Sequence, residues 1–325
     1  MKLLSVLKTK EMEQTDKQEV EKEMRSEPLI SFCVFTYNQE NFIEECLESV
    51  FKLKYNNLEI IISDDCSTDN TFSIITEFVK KRNTKHHIII NKNPENLGIG
   101  VHCFTVFWEI AKGDFIVTLG GDDVVDDENY LQNVVNLFQK DQSVMAVDIN
   151  ATMIDEKGNF IKEIQLPFSQ ISYTLDDYLS ARPIYSFAPG RTLRNLLVTD
   201  FKMLNKDCPA EAKVLTFRAL LRGKLLRTDI KAIKYRQHPN NSSSTERLRK
   251  ISFENIIKQH LTDADTVYQQ SKISDIDLKI LHRRIKLDLE LHNSIKEGAL
   301  LRFVKNIIRV RKYRILKSFY KFFNT

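Results

Sequence analysis

From Leu29 the chain alternates between unbroken apolar runs and apolar positions at helical spacing. Leu29 to Thr36 (LISFCVFT) is nearly continuous, the pattern of a strand buried on both faces of a parallel sheet. The polar turn Tyr37-Asn38-Gln39-Glu40-Asn41 leads to a helix with Phe42, Ile43, Cys46, Leu47 and Val50 on one face. Leu58 to Ser63 (LEIIIS) repeats the strand pattern. It ends in Asp64-Asp65-Cys66-Ser67-Thr68-Asp69-Asn70-Thr71, rich in helix-capping residues. The next helix carries Phe72, Ile75, Phe78 and Val79, and a short strand follows at His87 to Asn91. After the loop from Asn93 to Gly100, a helix runs to Ala111, and Asp114 to Leu119 (DFIVTL) is a fourth strand. Strands that alternate with helices predict βαβ units and a mainly parallel sheet.

After Asp123 the rhythm changes. Asp126, Asp127 and Glu128 read as the acidic first turn of a helix to about Lys140. Val144 to Met153 and Phe160 to Ile164 read as strands joined by a turn at Glu156-Lys157-Gly158-Asn159. Thr174 to Ala181 is helical, and Pro183 to Arg194, which holds Pro189-Gly190-Arg191, is irregular. Glu211 to Leu221 is a helix ending near Gly223, and Ile230 to Arg236 is a strand closed by His238-Pro239-Asn240-Asn241 and three serines. Everything from Thr245 onward reads as helix. Three regions follow: a charged leader over 1–27, helical or disordered; an α/β domain over 28–244; and an α-helical extension over 245–325.

The chain has 325 residues and a net charge of +4, which makes it long enough for a full core and gives no case for nucleic acid. Its five cysteines form no metal-ligand spacing and read as reduced thiols of a cytoplasmic protein. No apolar run reaches the roughly 18 residues of a membrane span, and the N-terminus lacks the apolar core of a signal peptide.

The candidate chemistry lies at the strand ends. In a parallel sheet these ends share one edge, where open α/β sheets bind ligands. Thr36 to Glu40, Asp64-Asp65 and Asp122-Asp123 should therefore meet. Gly120-Gly121 strips the chain of side chains just before the last pair. Adjacent carboxylates repel and suit a hard divalent ion, Mg²⁺ or Mn²⁺, that bridges to a diphosphate. Tyr37 can stack on a base, a carboxylate can accept from a base N–H, and Asn96-Leu97-Gly98 can bring backbone close to a phosphate or sugar. Singly, each cluster also reads as a solvated loop. There is no GxGxxG after the first strand and no GxxxxGK[ST], which argues against dinucleotide dehydrogenases and P-loop enzymes.

These stretches resemble the family 2 glycosyltransferases. The matching elements are FTYNQENFIEECLESV, IIISDDCSTDNT, NLGIG and AKGDFIVTLGGDD, from about Leu29 to Val125, with a looser match to about Ser244. The resemblance implies the GT-A fold of nucleotide-diphospho-sugar transferases, a mainly parallel central sheet flanked by helices. It also implies a nucleotide-diphospho-sugar donor, UDP-linked by expectation, and Mg²⁺ or Mn²⁺. Thr36, Tyr37, Asn38 and Glu40 would line the nucleotide, with Asn96, Gly98 and Asp122, and Asp65 would contact the base. Asp122 and Asp123 would hold the metal, although the family's first Asp of that motif falls on Gly120. Tyr235-Arg236-Gln237-His238 resembles a segment whose histidine faces the diphosphate or its metal, so His238 joins the metal set and Arg236 is a candidate phosphate partner.

The family's catalytic Asp falls on Ala212, which cannot take a proton. Glu211, in the first turn of its helix, and Asp207, in the turn before, are the candidate bases. The implied reaction is inverting transfer to an acceptor hydroxyl of a surface glycan or lipid-linked saccharide. Two alternatives stand beside it: a non-catalytic nucleotide-sugar-binding scaffold, and a sugar-phosphate nucleotidyltransferase. Finally, residues 300–323 carry eight basic and no acidic residues beside an apolar stripe. That segment suits either an anionic membrane surface at the inner face of the cell membrane or packing on the domain or on a second subunit.

Overall fold

The computed structural model describes residues 27–164, 170–239, 241 and 252–296. The leader before residue 27, the serine run at 242–244 and the basic segment at 300–323 lie outside the described residues.

Three parallel pairings make one half of the sheet. Strand β1 (Ile30–Thr36) lies between β2 (Leu58–Asp64) and β4 (Phe115–Gly120), and β3 (His87–Lys92) pairs with β2. Every residue of β1 is buried because both faces are covered. Phe32 and Val34 enter one core with α1 (Ile43–Val50), α2 (Thr71–Lys81) and α4 (Tyr130–Lys140). Cys33 and Phe35 enter the other, shared by α3 (Ile99–Thr105) and α7 (Glu211–Arg222). A near-continuous apolar run is what such a strand requires.

The second half is mixed. The described strands form one sheet in the order β3-β2-β1-β4-β9-β6-β10-β5. Here β5 is Val124–Val125, β6 Val144–Ile154, β9 Thr192–Arg194 and β10 Lys224–Arg236. β9 joins β4 to β6 in antiparallel register, whereas β6 and β10 run parallel. β7 (Phe160–Ile164) pairs with β6, and β8 (Gln170–Tyr173) with β10. Beyond β8 come the short helices α5 (Leu175–Leu179) and, after β9, α6 (Leu196–Thr199).

Several expectations are corrected. The 183–194 stretch is not wholly irregular: Thr192 to Arg194 bridges β4 to β6 in antiparallel register. Asp126, Asp127 and Glu128 do not open α4, which begins at Tyr130. The N–H groups of Asp126 and Asp127 instead bond the Ala232 carbonyl, because β5 pairs with β10. The helix after Gly98 ends in a π-helical turn, Val106–Ile110. Among the described residues, the C-terminal region holds two helices, α8 (Phe253–Gln269) and α9 (Asp275–Lys296), with a break between them.

α8 and α9 share the core of the sheet domain. Ile256, Ile257, Ala264, Val267, Leu281 and Ile285 are buried in the same cluster as Leu193 and Leu215. A fully buried ion pair reinforces this contact: Arg218 on α7 donates Nε to Asp263 Oδ2 at 2.9 Å and Nη2 to Oδ1 at 3.1 Å. α9 also returns to α5, where Tyr178 Oη donates to Asp288 Oδ2 at 2.6 Å.

Candidate active site

The register of the sheet brings the three polar turns to one level. Thr36 pairs with Asp64, and Phe35 with Gly120. Just beyond, Asp65 N–H donates to Thr36 O (2.9 Å), Gly121 N–H to Phe35 O (2.8 Å) and Asn93 N–H to Asp64 O (2.9 Å). Each turn is thus started by its neighbour.

The first two turns are stitched together through their side chains. Asn38 N–H donates to Ser67 Oγ (2.8 Å), while Asn38 Oδ1 accepts from Thr68 N–H (2.8 Å). Glu40 N–H donates to Asp69 Oδ2 (3.1 Å), and Glu40 Oε2 accepts from Asn70 N–H (3.0 Å) and Nδ2 (2.8 Å). Asn38 and Cys66 both hold left-handed backbone, φ 52° and 62°, a strained conformation that this stitching maintains. Asn38 and Glu40 therefore shape the turn. Tyr37 is 41% exposed, its ring open to solvent. Thr36 Oγ1 and Gln39 Oε1 are buried and have no partner among the described residues, which leaves polar atoms aimed at whatever fills the turn.

Asp65 is 3% exposed and acts as a clamp. Its Oδ1 accepts from Asn93 Nδ2 (2.7 Å) and Leu97 N–H (2.9 Å), and its Oδ2 from Gly98 N–H (2.9 Å). Gly98 has φ +76°, a conformation glycine adopts without strain, and this turns two successive N–H groups onto one carboxylate. Asn96 Nδ2 donates to Asp65 O (3.2 Å). A polar chain missed by sequence reasoning continues behind the clamp. Asn91 Nδ2 donates both to Asn93 Oδ1 (3.0 Å) and to Ser63 Oγ (2.9 Å), and Ser63 Oγ lies 2.7 Å from His102 Nε2. Burial pushes the His102 pKa down, against the pull of Asp65 and Asp64.

At the third turn the carboxylates crowd. Asp123 is 2% exposed and accepts Arg236 N–H at Oδ1 (3.0 Å). Burial and then Asp122 push its pKa well up, and the Arg236 contacts only partly offset them. Asp122 Oδ2 lies 2.9 Å from His238 Nε2 and accepts a long 3.4 Å contact from Asn241 Nδ2. The His238 ring rests on Phe42, centroids 4.9 Å apart. A Cβ on Gly120 would stand 2.5 Å from Asp122 Oδ1. The Asp122 carboxylate thus lies where a side chain at 120 would begin, so any other residue there requires Asp122 to shift. Among the described residues, no group of three or more His, Cys, Asp or Glu is arranged to hold a metal by itself. Asp122, Asp123 and His238 nevertheless fit a hard divalent ion: an uncompensated carboxylate pair calls for positive charge, and Mg²⁺-type sites use one or two carboxylates, with substrate phosphates completing the shell.

Arg236 is not free for a phosphate. It is 2% exposed. Its Nε donates to Asp122 O (2.9 Å), Nη1 to Asp155 O (3.3 Å) and Glu156 O (3.2 Å), and Nη2 to Glu45 Oε2 (2.6 Å). It fastens the β6–β7 turn and α1 to the carboxylate turn.

The two candidate bases differ in setting. Asp207 is exposed, and its backbone carbonyl accepts from Asn255 on α8 (3.0 Å). Glu211 is partly buried at the start of α7. Burial pushes its pKa up, while its own N–H, Arg191 and the Ala212 N–H pull it down. Glu211 and Asp65 both act electrostatically on the buried Cys103 thiol of α3, which places the start of α7 near the Asp65 turn.

The family model described as "Glycosyl transferase family 2" matches residues 31–195. An uncharacterized glycosyltransferase of Haemophilus influenzae is 28% identical over 298 residues, 86% of this chain and 85% of that protein. The poly(ribitol-phosphate) beta-N-acetylglucosaminyltransferase TarS of Staphylococcus aureus is 26% identical over 195 residues, 59% of this chain and 32% of that protein. The crystal structure of S. aureus TarS 1–349 with UDP-GlcNAc aligns at TM-score 0.58 and 18% identity, covering 88% of this chain and 81% of that one. The mannosyltransferase PcManGT from Pyrobaculum calidifontis, in complex with GDP-Man and Mn²⁺, aligns at TM-score 0.52 and 17% identity, covering 90% and 84%.

Proposed function

The chain belongs to glycosyl transferase family 2, and from that premise we propose that it moves a sugar from a nucleoside-diphosphate donor to an acceptor hydroxyl by inverting displacement. Its fold is the GT-A fold. The acceptor is a growing surface glycan or a lipid-linked saccharide, a class suggested by relatives such as TarS. One observation carries the reading: the turns after β1, β2 and β4 start at one level and end in a buried carboxylate pair facing His238.

In this account Thr36 Oγ1 and the exposed Tyr37 ring meet the nucleoside. Asn38 and Glu40 fix the shape of that pocket, and Asp65 reads the base from its clamp on Asn96-Leu97-Gly98. Asp122, Asp123 and His238 hold Mg²⁺ or Mn²⁺. The bound ion would supply positive charge as the diphosphate departs. Glu211 takes the acceptor proton: its partial burial and raised pKa suit a base, whereas Asp207 is solvated.

Two other readings give different products. A sugar-phosphate nucleotidyltransferase would release pyrophosphate, and a non-catalytic scaffold would bind donor without consuming it. Incubation with UDP-, GDP- and dTDP-sugars and Mn²⁺, and separately with the nucleoside triphosphates and sugar 1-phosphates that a nucleotidyltransferase would need, separates the three by product.

Among the described residues, no helix is long and apolar enough to cross a membrane. The basic segment at 300–323 is the candidate contact for an anionic surface, and it would keep the enzyme near lipid-linked acceptors.

A further inference from the structure

The described residues contain a further buried ionic centre, apart from the carboxylate turn and the Arg218–Asp263 pair. Arg191, just before β9, is 1% exposed. It donates Nε to Asp148 Oδ1 (2.6 Å) and Nη2 to Asp148 Oδ2 (3.0 Å), a two-pronged pair with a fully buried residue of β6. Two further donations leave this pair. Nη2 reaches Ser186 Oγ (2.6 Å), and Nη1 reaches the carbonyl of Ala212 (3.0 Å), in the first turn of α7. Ser186 Oγ also lies 3.1 Å from Thr216 Oγ1, and Thr216 Oγ1 donates to the same Ala212 carbonyl (2.8 Å). With Thr216 donating to Ala212 and Arg191 donating to Ser186, the Ser186 proton goes to Thr216. The chain of donors runs one way and ends on the backbone one residue past Glu211.

We propose that Arg191, anchored by Asp148, is a positioning residue for Glu211: it fixes the first turn of α7 against the 183–191 segment and sets the electrostatic environment of the Glu211 carboxylate. This rests on Glu211 being the base. It explains how a chain with Ala212 at the usual Asp position keeps its neighbouring carboxylate in place. Arg191 is the cation that pulls the Glu211 pKa down against burial. Among the described residues, the thiols of Cys103 on α3 and Cys208 before α7 also sense Glu211, and burial is the main cause that raises both. Asp148 stands behind Arg191 and offsets part of its charge.

Signs separate this role from a structural one. In R191M the carboxylate loses its cation, so its midpoint rises. In D148N the arginine keeps its charge and loses its counter-ion, so the Glu211 midpoint falls. The test is the titration of ¹³C-carboxyl-labelled glutamate in the full chain, with E211Q identifying the signal and circular dichroism confirming that each variant is folded. The expected shifts are upward by about one pH unit or more in R191M, a tenfold change in protonation equilibrium, and downward in D148N. R191K, which keeps the charge and loses the fork, should shift less than R191M. Midpoints that move the same way in R191M and D148N, or not at all, overturn the proposal. Release of UDP from UDP-GlcNAc with Mn²⁺ is measured alongside, as a probe of donor turnover. R191M should lower it about tenfold or more at neutral pH, with UDP affinity unchanged. If E211Q releases UDP at the wild-type rate, the base assignment fails, and that result is distinct from the pattern of midpoints. Should R191M fail to fold, D148N and R191K decide by the same signs.

Discussion

His238 Nε2 lies 2.9 Å from Asp122 Oδ2 across 116 residues of sequence. β10 makes the contact possible: its end pairs with β5, Ile233 opposite Val125 and Lys234 opposite Val124, so the histidine arrives beside the carboxylate turn. The Arg236 N–H holds Asp123 in the same stroke. An imidazole and two carboxylates gathered this way form a donor set whose negative charge Arg236 offsets only in part.

Removing these donors should remove metal-dependent binding. Asp123→Ala is expected to abolish Mn²⁺-dependent UDP binding, because the diphosphate charge would go unneutralised. Asp122→Ala and His238→Ala should weaken it by about tenfold or more. Titration calorimetry with and without Mn²⁺ measures this. Unchanged UDP affinity in Asp123→Ala would remove Asp123 from the metal site.

Glu211→Gln should lower turnover by about 100-fold or more with donor affinity intact. The base must be ionised to act, and burial raises the Glu211 pKa above the ordinary glutamate value of 4.5. The rate should therefore fall as pH drops, with its acid limb above that value. A loss in Asp207→Asn and none in Glu211→Gln would move the base to Asp207.

The strands and turns of the first half were legible because each reports its own environment. A run such as Ile30 to Thr36, buried on both faces, is apolar apart from Ser31 and the terminal Thr36, and a shared edge follows from parallel pairing. What was hidden depends on partners far away in sequence. Thr192 to Arg194 is a strand only because β4 and β6 flank it. Val124-Val125 is too short to announce itself, and its pairing delays the helix that Asp126 seemed to open. Arg236 looked like a phosphate ligand because sequence shows the guanidinium and not the carbonyls of Asp155 and Glu156 that take it. Ser63, Asn91 and His102 fit no local pattern, and only the clamp on Asp65 gives them a common purpose.

The helical extension should prove inseparable from the sheet domain. Asp263→Ala leaves Arg218 buried without its counter-ion, and breaking such a pair costs about 3–5 kcal/mol. Arg218→Met combined with Asp263→Leu should recover much of that loss, since an apolar pair needs no compensating charge. Urea unfolding of both variants measures it. A single variant within about 1 kcal/mol of wild type would show that the two helices contribute little there.

Deleting residues from Leu300 onward should leave a folded protein that binds UDP and no longer sediments with anionic vesicles. Raised salt should release the full-length protein from the same vesicles, because the attraction of basic side chains is screened. Full-length protein that ignores such vesicles at low salt would make the segment a packing element.

The most direct measurement is the product formed from a nucleotide-sugar. Purified full-length protein is incubated with UDP-, GDP- and dTDP-sugars, with Mn²⁺ or with chelator, and the released nucleotide is identified. Glycosyl transfer by Asp122, Asp123 and His238 predicts that one donor class yields nucleoside diphosphate, with Mn²⁺ and not with chelator, and that Asp123→Ala yields none. Release that is equal with chelator, or that persists in Asp123→Ala, would contradict the account.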